Sequence, residues 1–367
     1  MKNNHIYDHI IIGAGIAGSS IAYELNKHSN NILVIEKENK IAFGASGAAG
    51  GLMSPLLGKP NKFKTLVNEA LKYSTNFYKS NISKHINQCG TLRIPKDKED
   101  EKKFQEYIPF IDIPYKIEQG GCFFPEASVV NSHEICKALM TDITIQYNEE
   151  VKNINYEDKL WNLDNKYYTK NLILTIGASS MLIDEFYLNI RPIWGQRIDI
   201  STTSCINHNY HKECSVTASS KINNKLNKVS IGATHHRFVN TKTIDKSDTE
   251  ILLKKASDII KLDDINVINE YAGARAASVD YFPMVGKIID SKKTLDEFPY
   301  LKNGTNVNEK RFTRYENLYI LNGVGGRGFV LSPYLAKQLC DLIISNKEVQ
   351  EEININRLFK REVKRLK

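Results

Sequence analysis

Gly13, Gly15 and Gly18 stand between an apolar run, His9 to Ile12, and a segment of helical character that continues to about His28. No other feature restricts the fold as tightly. The first glycine permits a sharp turn out of a buried strand, the second lets backbone approach a pyrophosphate, and the third lets the helix pack closely on the strand. The helix N-terminus then faces negative charge. A second apolar run, Ile32 to Glu36, ends in a carboxylate 18 residues beyond Gly18. That carboxylate is placed to accept hydrogen bonds from ribose hydroxyls and to repel a 2′-phosphate. This strand, helix and strand open a doubly wound α/β sheet. A glycine-rich turn without a ligand has the same local pattern, but the elements together favour a dinucleotide.

Which dinucleotide is decided by two further small-residue loops. Gly44-Ala45-Ser46-Gly47-Ala48-Ala49-Gly50-Gly51 is followed at once by apolar Leu52, Met53 and Leu56. A surface loop has no need of such neighbours, whereas a loop packed on a flat ring does. Gly323-Val324-Gly325-Gly326-Arg327-Gly328 lies between an expected strand, Leu318 to Leu321, and an expected helix, Ser332 to Ile344. Free N–H groups and a helix N-terminus there suit the anionic locus of a reduced flavin. Two glycine loops beyond the first favour FAD over NAD.

Arg275 sits among residues too small to pair with it, in Gly273-Ala274-Arg275-Ala276-Ala277-Ser278, just before Tyr281-Phe282-Pro283-Met284. Either a distant Asp or Glu answers its charge, or a substrate carboxylate occupies its bidentate fork. Arg327 is open to the same two readings and also to a place facing the flavin. His235 and His236 end an expected strand and are assigned no catalytic role. Amine oxidation by hydride delivery to a flavin needs no strict acid–base residue, so the lack of a triad is not evidence against it.

Between the loops the chain alternates. Helices are expected from about Lys64 to Ser80, across Lys96 to Glu106 and from Ser247 to Ile260, and short strands at 90–95, 144–147, 151–156, 160–163 and 172–175. Apolar and polar residues alternate from Arg191 to Thr234, as in an antiparallel sheet with one wet face. A chain of 367 residues exceeds what one core supports, so two interleaved lobes are expected. No apolar run approaches the roughly 18 residues that span a bilayer, so no membrane insertion is expected. Six scattered cysteines lack metal-ligand spacing, which points to reduced thiols in the cytoplasm and to no metal. Lys and Arg exceed Asp and Glu by 8. That excess suits a polyanionic partner if it is clustered, though a general Lys, Asn and Ile bias gives the same count. Arg357, Lys360, Arg361, Lys364, Arg365 and Lys367 form a basic tail opposed by Glu362 alone among the last eleven residues.

These segments occur in the order of a known family. The opening motif ending in Glu36, GASGAAGGLMSPLL, LILTIGAS, RPIWGQ, SIGATHH, GARAASVDYFPMVG and NGVGGRGF resemble the D-amino-acid oxidase and glycine oxidase superfamily over about residues 6–345. Within it, ASGAAGGLMSPLL, R-x-x-x-x-D-Y-F-P-M-V-G and G-R-G-F-x-x-S-P look most like the FAD-dependent oxidase domain of the bifunctional tRNA-modifying protein MnmC. The resemblance implies an α/β fold in which a Rossmann-like FAD-binding domain (1–82, 125–190 and 270–345) interleaves with an antiparallel-sheet substrate domain (83–124 and 191–269). Residues 346–367 remain as a tail. It implies FAD contacts from Gly13, Gly15, Ile16, Ala17, Gly18, Glu36, Lys37, Ala45, Ser46, Gly50, Gly51, Val151, Gly177, Gly325, Gly326, Arg327, Gly328 and Phe329, with Arg275 and Arg327 at the reacting centre.

The activity implied is oxidative removal of the carboxymethyl group from carboxymethylaminomethyl-uridine at the tRNA wobble position, giving aminomethyl-uridine and glyoxylate, with dioxygen as the electron acceptor. The family usually carries a methyltransferase domain ahead of this one, so a separate methyltransferase is an expected partner. It also often has Cys where Ala276 follows Arg275 here. An oxidase of free glycine, sarcosine or D-amino acids fits the same motifs. A non-catalytic tRNA-binding factor with structural FAD fits the basic tail.

Overall fold

The computed structural model describes residues 5–237, 239 and 243–366. Ile6–Ile12 is the axis of the larger sheet: it pairs in parallel with Ile32–Ile35 on one side and Tyr167–Leu174 on the other. Strands flanked on both sides read as continuous apolar runs, and Ile10, Ile11, Val34 and Ile35 are wholly buried. Thr144–Gln146 extends the sheet beyond Ile32–Ile35, Arg314–Asn322 lies parallel beside Tyr167–Leu174, and Met284–Ile289 adds an antiparallel edge. The helix Ile16–Asn26 is rich in small residues and buried without a break from Ile16 to Ala22, Ser19 and Ser20 included. It packs against the helices Gly328–Ser345 and Ser132–Leu139, with Ile21, Ala22, Leu335 and Leu339 fully buried in one cluster.

A second, nine-stranded sheet is largely antiparallel, with Ile190–Thr202 paired to Asn266–Ser278 on one side and Asn227–Gly232 on the other. The strand Asn266–Ser278 crosses the boundary expected at residue 270 and carries Arg275 in hydrogen-bonded register with Ile193. The run Gly273 to Ser278, rich in alanine, has no β-branched signature. Its strand conformation is imposed by the partner strand.

The segment at 43–55 is not irregular throughout: Ala45–Ala48 is a short helix and Leu52–Met53 a strand paired with Ser128–Val130. Nor are residues 346–367 a free tail. Asn356–Val363 is a docked helix whose Leu358, Phe359 and Val363 join the second core cluster. Arg357 pairs with Asp280 at 2.9 Å, Lys360 contacts Glu309, and Arg365 reaches Glu362. Burial of about 1.5–3 kcal/mol per large apolar side chain outweighs a charge pattern that read as solvated. Lys367 lies outside the described residues. Among the described residues no helix is long and apolar enough to cross a membrane, and no cluster of His, Cys, Asp or Glu could hold a metal.

Candidate flavin and substrate cavity

The three glycine loops converge on one cavity of about 1420 Å³ between the two sheets. Its volume exceeds the roughly 300–1,000 Å³ of pockets for drug-sized ligands. Gly13 takes a φ of +105°, and a Cβ there would lie 2.6 Å from the Thr175 carbonyl oxygen. A Cβ on Gly18 would lie 1.9 Å from the Gly13 oxygen. Gly18 therefore packs helix on strand and does not line the cavity. Every other residue expected from the sequence to contact FAD does line it, as does Arg275.

At one end the buried Glu36 carboxylate accepts from the backbone N–H of Ala14 at 2.7 Å and of Glu38 at 3.0 Å, which fixes its direction. Lys37, Val151 and Gly177 line the same cavity, with Gly177 held by Asn322 Nδ2 donating to its carbonyl at 2.9 Å. In the middle, Ile16 N–H donates to Ser46 Oγ at 2.9 Å, tying the helix Ala45–Ala48 to the first glycine turn. That helix lies against the strand Asn266–Ser278 so closely that a Cβ on Gly273 would sit 2.9 Å from Ala45 Cα and 3.0 Å from Ala48 Cβ. Arg197 donates to the Ala49 carbonyl at 2.6 Å and stacks on Tyr271 at 4.1 Å, clamping the loop from the other side.

The far end is cationic. Arg275 is half-buried, and its one hydrogen bond is to the Thr234 carbonyl at 3.3 Å. Among the described residues no carboxylate pairs with it, so the distant salt bridge left open by the sequence is not formed. Desolvation lowers its pKa. Gly195 makes the placement possible, since a Cβ there would fall 2.3 Å from the Thr234 oxygen and 2.5 Å from Arg275 Nη1. Arg327 donates to the Ser54 carbonyl at 3.2 Å. Burial, reinforced by the charge of Arg93, pushes its guanidinium down to about 10.

The structure brings in residues the sequence reading passed over: Arg93, His211 and Trp194 all line the cavity. Arg93 and His211 face each other across parallel strands, Thr91–Arg93 and Asn209–His211. A strand at 90–95 and alternation across 191–234 were expected, but not the parallel pairing that sets these two side chains opposite each other.

His235, expected at a strand end and given no catalytic role, is exposed yet lines this cavity. Burial and then the Arg275 charge hold it at about 4, and burial with Arg93 and Arg327 holds His211 at about 3. Both are neutral near pH 7. His236 is engaged elsewhere, within 3.0 Å of the Asp248 carboxylate.

The residues present fit FAD. Neither the helix Ile16–Asn26 nor the helix Gly328–Ser345 has a capping side chain at its N-cap residue or an acidic residue in its first turn, so first-turn backbone N–H groups other than that of Ile16, which Ser46 Oγ accepts, remain available to anionic groups. The two helix starts meet, since a Cβ on Gly328 would touch Ile16 Cγ2 at 2.8 Å.

The family described as FAD dependent oxidoreductase, DAO, matches residues 8–342. The protein named tRNA 5-methylaminomethyl-2-thiouridine biosynthesis bifunctional protein MnmC from Legionella pneumophila (strain Lens) is 26% identical over 93% of this chain and 54% of its own length. The protein of the same name from Campylobacter fetus is 24% identical over 98% of this chain and 60% of its own. The chain thus spans little more than half the length of these relatives. Glycine oxidase from Geobacillus kaustophilus has a similar fold, with a TM-score of 0.76 at 17% identity, covering 94% of this chain and 96% of that one. With one family spanning nearly the whole chain and its glycine loops gathered at one cavity, this protein belongs to the DAO family of FAD-dependent oxidoreductases.

Proposed function

We propose that this chain oxidises the carboxymethylaminomethyl group of a wobble uridine in tRNA, leaving aminomethyl-uridine and releasing glyoxylate. The observation that carries the reading is Arg275: a half-buried guanidinium in the cavity, beside the 323–328 loop, with no acidic partner among the described residues. The names of the Legionella and Campylobacter relatives supply the tRNA context.

In this reading the parallel sheet and its helices form the FAD-binding portion, and the nine-stranded sheet forms the substrate portion. Gly13, Gly15, Ile16, Ala17, Ala45, Ser46, Gly50 and Gly51 would hold the cofactor's middle, Glu36, Lys37, Val151 and Gly177 its adenosine end, and Gly325 to Phe329 the ring end. Gly18 supports them by packing. FAD, when bound, would supply the acceptor for the hydride that leaves the C–H bond of the methylene beside the amine nitrogen, and dioxygen is the proposed final acceptor.

Arg275 takes the glycine-like carboxylate in its fork and so fixes the methylene's direction. The positive charges of Arg93, Arg275 and Arg327 favour the uncharged form of the substrate amine, the form that can release hydride. Among the described residues no carboxylate competes for Arg275, which leaves its fork for the substrate. Water then hydrolyses the substrate imine. A methyltransferase is the proposed consumer of the aminomethyl product.

Incubation of the purified protein with tRNA bearing the group, followed by mass spectrometry of the nucleosides, tests the reading. Loss of the carboxymethyl mass supports it. An unchanged nucleoside together with peroxide release from free glycine, sarcosine or a D-amino acid replaces it with the free amino-acid oxidase, whose fold neighbours this chain shares.

A further inference from the structure

Arg275 accounts for one anion, but the cavity holds two more arginines. Arg327 and Arg93 donate to consecutive carbonyls, Ser54 at 3.2 Å and Pro55 at 3.4 Å, which brings the two guanidiniums close enough for the charge of Arg93 to bear on Arg327. Like charges held together out of water repel. Neither has an ion-pair partner among the described residues. Asp100, whose charge reaches Arg93, instead accepts the Lys96 N–H at 3.1 Å, and Glu213 at the cavity wall pairs with Lys255 at 3.2 Å.

Arg93 Nε is fully buried with no acceptor. A guanidinium has five donors, and leaving a buried one unmet is costly. His211, opposite Arg93, is anchored through Nδ1 to Ser215 Oγ at 2.9 Å and stays neutral between the two arginines, leaving both positive charges uncompensated. All three side chains line the cavity that also holds Arg275.

We propose that Arg93 and Arg327 form a second oxoanion subsite, separate from the Arg275 fork, so that the substrate carries two anionic groups. The inference deepens the tRNA reading and rests on it for the identity of that group: the phosphate of the nucleotide that bears the modified base. A free glycine or sarcosine would leave the Arg93–Arg327 pair unanswered. Bidentate recognition of phosphate by paired guanidiniums is the chemistry these donors match.

The test compares FAD-loaded wild type with Arg93→Gln and Arg93→Lys on carboxymethylaminomethyl-uridine and on its monophosphates, with sarcosine and iminodiacetate as a matched pair carrying one and two carboxylates. For wild type, kcat/KM for a monophosphate should exceed that for the nucleoside by about tenfold or more, the scale of one charge-assisted hydrogen bond. Arg93→Gln should bring that ratio close to one, and Arg93→Lys should restore part of it.

A ratio left intact in Arg93→Gln overturns the subsite, and so does an equal loss on nucleoside and monophosphate. A preference for iminodiacetate over sarcosine that depends on Arg93, with none for the monophosphate, keeps the subsite and identifies its anion as a carboxylate. Inorganic phosphate supplies the arm that needs no turnover. It should perturb the flavin absorbance of wild type, with Kd raised about tenfold or more in Arg93→Gln. If no nucleoside or nucleotide is oxidised but this Arg93-dependent binding persists, the tRNA reading has failed and the subsite stands. If phosphate binds both proteins equally, the subsite is refuted.

Discussion

Replacing Arg275 by methionine should separate stability from function. The native guanidinium is half-buried and makes a single long hydrogen bond to the Thr234 carbonyl, so it adds little to folding. Its desolvation opposes folding, by about 1 kcal/mol once the solvent that still reaches it is allowed for. Methionine keeps the stem's contact with Gly326, whose Cβ position lies 3.4 Å from Arg275 Cδ, and removes the charge. The melting temperature should stay level or rise by about 1 °C for a chain of this size.

Activity should move the other way. Two charge-assisted hydrogen bonds to a carboxylate contribute about 1.5–3 kcal/mol each. Their loss therefore costs about 3–6 kcal/mol, or roughly 10²–10⁴ in kcat/KM at 1.4 kcal/mol per decade. Flavin reduction on rapid mixing with substrate, alongside thermal unfolding followed by the protein's own fluorescence, reads both effects. The protein should remain yellow. Turnover within about threefold of wild type, which is under 1 kcal/mol, would refute the carboxylate role. A large fall in melting temperature would refute the claim that Arg275 lacks a structural partner.

Other residues give equally concrete expectations. Gly195→Ala, whose Cβ would press on the Thr234 oxygen and on the Arg275 guanidinium, should retain FAD yet lose most turnover, by displacing Arg275; steady-state kinetics with a flavin absorbance spectrum checks both. His9 is buried and burial holds it near 4, below its ordinary 6.5. Between those values the unfolded chain binds a proton that the native one does not, so its contribution is complete above pH 6.5 and is lost as pH falls toward 4. That amounts to about 2 kcal/mol at pH 5, and His9→Leu should shrink the pH 7 to pH 5 difference in urea-unfolding free energy by that much. Phe359, wholly buried against Tyr187 and Phe312, should cost about 3–5 kcal/mol as Phe359→Ala. A denaturant midpoint unchanged by this substitution would mean that the C-terminal helix is not docked.

What the sequence disclosed was local chemistry. The turn glycines carry their own reason, since a φ of +105° at Gly13 or a 1.9 Å clash at Gly18 excludes other residues; such constraints act over a few neighbours and can be read one position at a time. Arg275 was legible because a charge among alanines and glycines has no local partner. What stayed hidden depended on pairing at long range. Arg93 and His211 are 118 residues apart, met only through strand register. The Gly273 to Ser278 half of the strand Asn266–Ser278 was masked by small residues that carry no β signal and take their conformation from Ile190–Thr202. The basic segment at the C-terminus misled because its charges are frequent and its three buried anchors, Leu358, Phe359 and Val363, are few. Counting charge says where a segment can be solvated, not where it packs.

The account stands on a cavity that seats FAD beside an amine whose carboxylate lies on Arg275. Its most direct test is to mix the purified yellow protein, without oxygen, with tRNA bearing the carboxymethylaminomethyl group and follow the flavin's visible absorbance. The account predicts bleaching at one equivalent of modified tRNA and none with unmodified tRNA. A spectrum that stays oxidised with the modified tRNA while bleaching with free glycine would contradict it.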